Sequence, residues 1–274
     1  MAGRSGRAAV DDTARLCQFI YRNLGVISQV TATLDTHMSI QIFHAIFLVD
    51  ADGKHPAPYS QITVKDVRSG QWKFNPALAG PLGVSPEYGQ EMLLHYVTQL
   101  ETSGKYALTV WPYHAMLGGV GHALVSSVEE ALFFHSIART AQTQFEVKGD
   151  HPFTENYSAI GPEVQTGPMG ETLEQRNPKY IDALQDVDAL IVAGQAKSHC
   201  VAWTLADLLQ DIRHVDASLA RKIYLLEDCT SPVVVPGADF THAADKAYAE
   251  FAEAGMHIVK STDPVENWEE FPIP

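Results

Sequence analysis

Runs with the apolar spacing of amphipathic helices alternate along this chain with short runs of β-forming residues, and that alternation limits the fold more than any other feature. Val10, Ala14, Leu16, Phe19, Ile20 and Leu24 lie on one helical face, opened by Asp11, Asp12 and Thr13 and closed by Gly25. Val26 to Leu34 then reads as a strand that delivers Asp35 and His37 to its C-terminal end. The rhythm repeats: a helix over 86–103 and strand 106–111, a helix over 126–143 and strand 145–149, strand 188–193, a helix over 200–212, strand 222–227, a helix over 239–254 and strand 256–260. Right-handed crossovers between such elements predict an α/β fold of three layers, α-β-α, around a mostly parallel sheet. The stretches at about 45–86 and 149–178 hold most of the proline and glycine and are expected to be ordered excursions near a site within one domain spanning 1–274.

Charge and cysteine usage narrow the partners. With 19 Lys and Arg against 33 Asp and Glu the net charge is −14, and no basic run exceeds a pair. Neither a nucleic-acid surface nor an anionic membrane suits such a chain, so a small-molecule partner is expected. Homo-oligomer formation is left open. Three cysteines without paired spacing (Cys17, Cys200, Cys229) suggest no disulfide framework and no thiolate zinc site, which fits a reducing cytoplasm. No signal-peptide-like or membrane-length apolar stretch is present, so a cytoplasmic location is expected. Gly118-Gly119-Val120-Gly121 lacks the third glycine of a dinucleotide fingerprint, since Leu124 stands there, and reads as a turn that lets the backbone approach something closely.

Cys200 is the residue with chemical promise. It sits where the strand Leu190 to Ala193 passes through a glycine-containing turn into a helix, so the helix N-terminus would favour a thiolate at the C-terminal rim of the sheet. An inert buried thiol is the competing reading, because free cysteine is among the most buried residue types. Cys17 and Cys229 have no comparable setting and are read as structural.

The segment Val192-Ala-Gly-Gln-Ala-Lys-Ser-His-Cys200-Val-Ala-Trp-Thr204 resembles the signature of the isochorismatase-like cysteine hydrolases, and the chain from about 10 to 260 is similar to their nicotinamidase branch. Three further motifs carry the resemblance: Thr33-Leu-Asp35-Thr-His37 with His44 downstream, Trp111-Pro-Tyr-His114 ahead of the glycine-rich turn, and Lys148-Gly149 followed by Asn156-Tyr-Ser-Ala159. The resemblance implies an isochorismatase-like, Rossmann-like topology. It implies a hydrolase that cleaves a small aromatic amide through a thioester on Cys200, with Lys148 as partner and the amides of Ala196 and Cys200 as the oxyanion hole. It also implies a Gln195–Ala196 cis peptide and a Zn²⁺, Fe²⁺ or Mn²⁺ ion on Asp35, His37 and His114, with His44, more loosely spaced, as the fourth ligand. Trp111 and Tyr157 either wall the substrate pocket or pack in the core. The other nine histidines, His55, His95, His122, His135, His151, His199, His214, His242 and His257, are read as hydrogen-bonding residues without a site role.

The sequence departs from that family in two places. The family opens on a mid-sheet strand ending in the aspartate that takes the thiol proton, and here the chain begins almost directly with a helix. Asp11 and Asp12 read as residues of its N-cap, not as substitutes. An N-terminally incomplete domain is expected, with two strand edges unpaired and catalysis lowered about 10²–10⁴-fold for want of a positioned base. Lys197-Ser198 also stands where many relatives carry Thr-Asp. A non-catalytic homologue that binds metal or ligand is therefore the alternative to the amidohydrolase, and an isochorismatase-type hydrolase is a second, less favoured because that branch lacks the Asp-x-His and Trp-Pro-x-His set.

Overall fold

The computed structural model describes residues 5–272. Its regular elements are α1 (Ala8–Arg22), β1 (Thr31–Asp35), α2 (Pro86–Thr102), α3 (Ser126–Arg139), β2 (Gln144–Lys148), α4 (Lys179–Asp186), β3 (Leu190–Val192), α5 (Ala202–Val215), β4 (Ile223–Leu226), α6 (Thr241–Glu253) and β5 (His257–Val259). Strands and crossover helices alternate as the periodicity predicts, and the pairs β1–β2, β3–β4 and β4–β5 are all parallel. This is a mixed α/β fold with helices on both faces of parallel sheet.

The parallel strands do not form one continuous sheet. β1 pairs with β2, while β5, β4 and β3 form a separate three-stranded sheet in that order. Between β1 and β3 no ladder runs among the described residues, so each has one edge without a strand neighbour. The segment 106–111 also departs from expectation. Its regular pairing is Leu108–Thr109 with Gln61–Ile62, antiparallel and outside both parallel sheets, and Trp111 forms an isolated parallel bridge with His44. The preceding excursion is more than a loop: residues from Ile42 to Ala79 pack with Met92, Leu93, Tyr96 and Val97 of α2 into a hydrophobic cluster of their own.

Helix α1 joins the two sheets. Cys17 and Ile20 pack with Ala131 and Leu132 of α3 over the β1–β2 side. Phe19 stacks on Trp268 at 5.7 Å between ring centroids and joins Tyr224 and Leu226 on one face of β4. Ile223 and Leu225 project to the opposite face, into a core built with α4, α5 and α6. Because Phe19 is 2% exposed and anchors α1 to the larger sheet, Phe19→Ala is expected to cost about 3–5 kcal/mol. Urea unfolding would show this as a lower midpoint with an unchanged slope, provided two-state behaviour holds.

Candidate active site

The chemistry gathers where the strands end. The parallel register sets Asp35 directly beside Lys148 at the C-terminal ends of β1 and β2. Lys148 is 7% exposed, so its ammonium must find all its partners within the protein. Its three donors have three acceptors: Asp35 Oδ1 at 2.8 Å, the Asn156 carbonyl at 2.7 Å and Cys200 Sγ at 3.6 Å. Burial opposes the charge on Lys148, but Cys200 and Asp35 outweigh it and hold its pKa above the ordinary lysine value. Burial likewise works against the Asp35 carboxylate, and Lys148 and His37 overcome it, leaving Asp35 ionised well below the usual carboxylate range.

Cys200 reaches the site by a route slightly different from the expected one. A π-helical turn over Lys197–Val201 precedes α5, so the cysteine lies in that turn instead of the first α-helical turn. The surroundings of the sulfur also act against the thiolate expectation. Burial raises the Cys200 pKa, and the lowering by Lys148 does not cancel it. A thiol at this position needs a proton acceptor when it reacts. The Gln195–Ala196 peptide is cis, and Ala196 is buried.

Asp35 Oδ2 faces a different group. It lies 3.0 Å from His37 Nε2 and 3.7 Å from His114 Nε2. Asp35, His37 and His114 are a set whose ligand atoms all fall within 4.8 Å of one another. His114 Nδ1 donates to the Pro112 carbonyl at 2.8 Å, which leaves Nε2 as the acceptor facing the cluster. His44 does not join that set. It is buried beside it, with its ring centroid 6.1 Å from that of His37, and neither of its nitrogens has a hydrogen-bond partner. Burial, with His37 and His114, lowers its pKa to about 4, so it is a neutral imidazole. A carboxylate with imidazole nitrogens around it, of which His37 Nδ1 and both nitrogens of His44 are buried without a hydrogen-bond partner, forms a donor set that suits Zn²⁺, Fe²⁺ or Mn²⁺.

The glycine-rich turn proves to clasp this cluster. Leu117 N–H donates to the His37 carbonyl and His37 N–H to that of Ala115, both at 3.0 Å, while the His122 ring meets the Thr36 hydroxyl at 2.7 Å. Gly149 passes so close that an added Cβ would lie 3.4 Å from the Thr36 carbonyl, and its φ of +91° is one that side chains avoid.

Trp111 and Tyr157 stand at the site, joined by a hydrogen bond from Trp111 Nε1 to the Tyr157 hydroxyl at 2.8 Å. They enclose, with Tyr106 and Phe240, a residue that the sequence reading set aside. His199, next to the nucleophile, has these four rings within 5.5 Å of its own. Its Nδ1 bonds to Ser198 Oγ, its Nε2 has no partner, and burial lowers its pKa to about 3. Seven of the other eight histidines read as lacking a site role make hydrogen bonds: His55, His95, His122, His135, His151, His214 and His257. Glu155, fully buried, is a second residue missed. Burial lifts its pKa to about 7 despite the charges of His37 and Lys148.

No family model matches the chain. The nicotinamidase of Escherichia coli strain K12 is 28% identical to it over 167 residues, 59% of this chain and 61% of that relative, so the match spans about three fifths of the relative's length. Among solved structures, the yeast nicotinamidase Pnc1p superposes with a TM-score of 0.53 at 17% identity, covering 93% of this chain and 92% of that one. A nicotinamidase/pyrazinamidase of Acinetobacter baumannii gives 0.50 at 16% identity, covering 92% and 86%. The chain has the fold of the isochorismatase-like cysteine hydrolases and resembles their nicotinamidases in sequence.

Proposed function

We propose that the chain is an amidohydrolase that cleaves a small aromatic amide, nicotinamide or a close analogue, through a thioester on Cys200. The observation that carries this reading is the contact chain Asp35–Lys148–Cys200, at 2.8 and 3.6 Å. In this reading Asp35, held against Lys148, takes the part of the proton acceptor that the missing family aspartate leaves open. As the thiol proton passes to Lys148, the ammonium yields one to Asp35, and sulfur attacks the amide carbon. The carbonyl oxygen takes the displaced electron pair and is held by the N–H groups of Ala196 and Cys200. Collapse of the intermediate breaks the C–N bond, with the proton returning through Lys148 to the departing ammonia. Water then cleaves the thioester, releasing the carboxylic acid and restoring the thiol. Trp111, Tyr157 and neutral His199 offer an aromatic wall for the ring.

Asp35, His37 and His114 would hold the divalent ion, with His44 beside them. A bound ion supplies a Lewis acid that orients a ring nitrogen or a water. His114→Ala is expected to weaken zinc binding about tenfold or more, read by competition with a chromophoric chelator. The functional test is ammonia release from nicotinamide, with mass spectrometry of the quenched protein for an acyl group on Cys200. Zinc and nicotinamide binding without ammonia release would support the non-catalytic alternative instead.

A further inference from the structure

Asp12 is a buried carboxylate that no step above uses. It is 3% exposed and lies mid-helix in α1, whose first residue is Ala8, so the N-cap reading of this position does not hold. Each oxygen has one partner. Oδ1 accepts from Arg15 at 2.7 Å, and Oδ2 accepts from Gln195 Nε2 at 2.7 Å, across 183 residues of chain. Arg15 is in turn fixed by donating to the Asp228 carbonyl at 2.5 Å. The turn that contains Gln195 is also bound through its backbone, Gly194 N–H donating to the Cys229 carbonyl at 3.1 Å and Lys197 N–H to that of Ser231 at 2.9 Å, and through the Lys197 ammonium, which donates to Asp245 at 3.0 Å. The segment 194–197 is thus held between the stretch that follows β4 and the Asp12 carboxylate, and it carries Ala196, one of the two oxyanion donors in the reading above.

We propose that Asp12 is a positioning residue: by gripping the Gln195 side chain from α1 it holds the Ala196 amide where the oxyanion forms. The inference rests on the amidohydrolase reading and extends it to a residue in another layer of the fold. A buried acid offers little to packing that an apolar residue would not, and its desolvation is offset here only by the two bonds it makes. Those bonds lead to the turn beside the nucleophile.

The test uses the full chain with Asp12→Ala and Asp12→Asn, the second retaining an oxygen that can accept from Gln195. Pyridine-3-carboxaldehyde is the probe. The Cys200 sulfur adds to its carbonyl carbon, the C=O π bond opens, and the oxygen takes the thiol proton and lies against the same donors without turnover. Asp12→Ala is expected to weaken this adduct about tenfold and to lower kcat for nicotinamide by a similar factor, with KM changed less than about twofold. Iodoacetamide alkylation of Cys200, which needs no oxyanion hole, is expected to stay within about twofold, and Asp12→Asn to recover most of the loss. An adduct in Asp12→Ala as tight as wild type, or alkylation falling in parallel with adduct affinity, would overturn the proposal. So would a wild-type chain that forms no adduct. A wild type that forms the adduct but releases no ammonia counts against the hydrolase reading alone and leaves the variant comparison decisive.

Discussion

Cys200→Ala is expected to remove nicotinamide hydrolysis to background, a fall of about 10⁴-fold or more, whereas Cys17→Ala and Cys229→Ala leave kcat within about twofold. The three thiols differ in surroundings. Cys229 is 1% exposed, burial lifts its pKa to about 12, and no ammonium touches it. Cys17 packs between α1 and α3 among Ile20, Ala131 and Leu132. Cys200 alone among the three has the Lys148 ammonium against its sulfur. Loss of the sulfur leaves Asp35, His37 and His114 in place, so zinc affinity is expected to be unchanged in Cys200→Ala. Retained zinc binding with lost turnover would separate the chemistry from the fold. Residual hydrolysis within about tenfold of wild type would remove Cys200 from the mechanism.

The legible parts of this molecule are those fixed by local rules. α2 was read within one residue of its observed bounds because Ser85 caps it and Pro86 opens it. The parallel strands β2, β3, β4 and β5 were each found within about two residues, since short apolar runs between helices leave few alternatives. β1 was drawn too early. Val26 and Ile27 look like strand residues, but their N–H groups bond back to Asn23, and their side chains pack against the Phe19–Trp268 cluster. The 106–111 segment alternates like a buried strand, yet its partner at Gln61–Ile62 lies in a stretch without periodicity, so neither the pairing nor its direction could be inferred.

The site was legible in its residues and not in its connections. Motifs named Asp35, His37, His114, Lys148 and Cys200, but the register that sets Asp35 against Lys148 is a property of two strands 113 residues apart. For the same reason the carboxylate that stands against Lys148 could not be read from the motifs as a neighbour of the thiol. Burial of Cys200 works against the thiolate that the dipole and lysine arguments favour, and its cost depends on everything packed around the sulfur, which the sequence does not give. His199, read as a hydrogen-bonding residue without a site role, does bond to Ser198, but the four rings around it beside Cys200 come from distant segments that no spacing in the sequence brings together.

Asp35→Asn and Lys148→Met are each expected to lower kcat for nicotinamide about 10²–10⁴-fold, and the double variant to lose little more than the worse single one. Asparagine keeps the shape of residue 35 and an oxygen toward Lys148, but it takes no proton. Methionine keeps the length of residue 148 and carries none. If proton transfer runs from sulfur through the ammonium to the carboxylate, either change breaks the same path, and groups that act as a unit show strongly non-additive losses. Asp35 also belongs to the candidate metal set, so His114→Ala serves as the control, because it disturbs that set and makes no contact with Lys148. At saturating zinc His114→Ala is expected to retain at least about ten times the activity of Asp35→Asn. Losses that multiply in the double variant, or a His114→Ala variant as inactive as Asp35→Asn under saturating zinc, would show that Asp35 serves the metal alone and that the thiol proton leaves by another route. Glu155, buried beside these groups with its pKa lifted to about 7, would then be the residue to replace next.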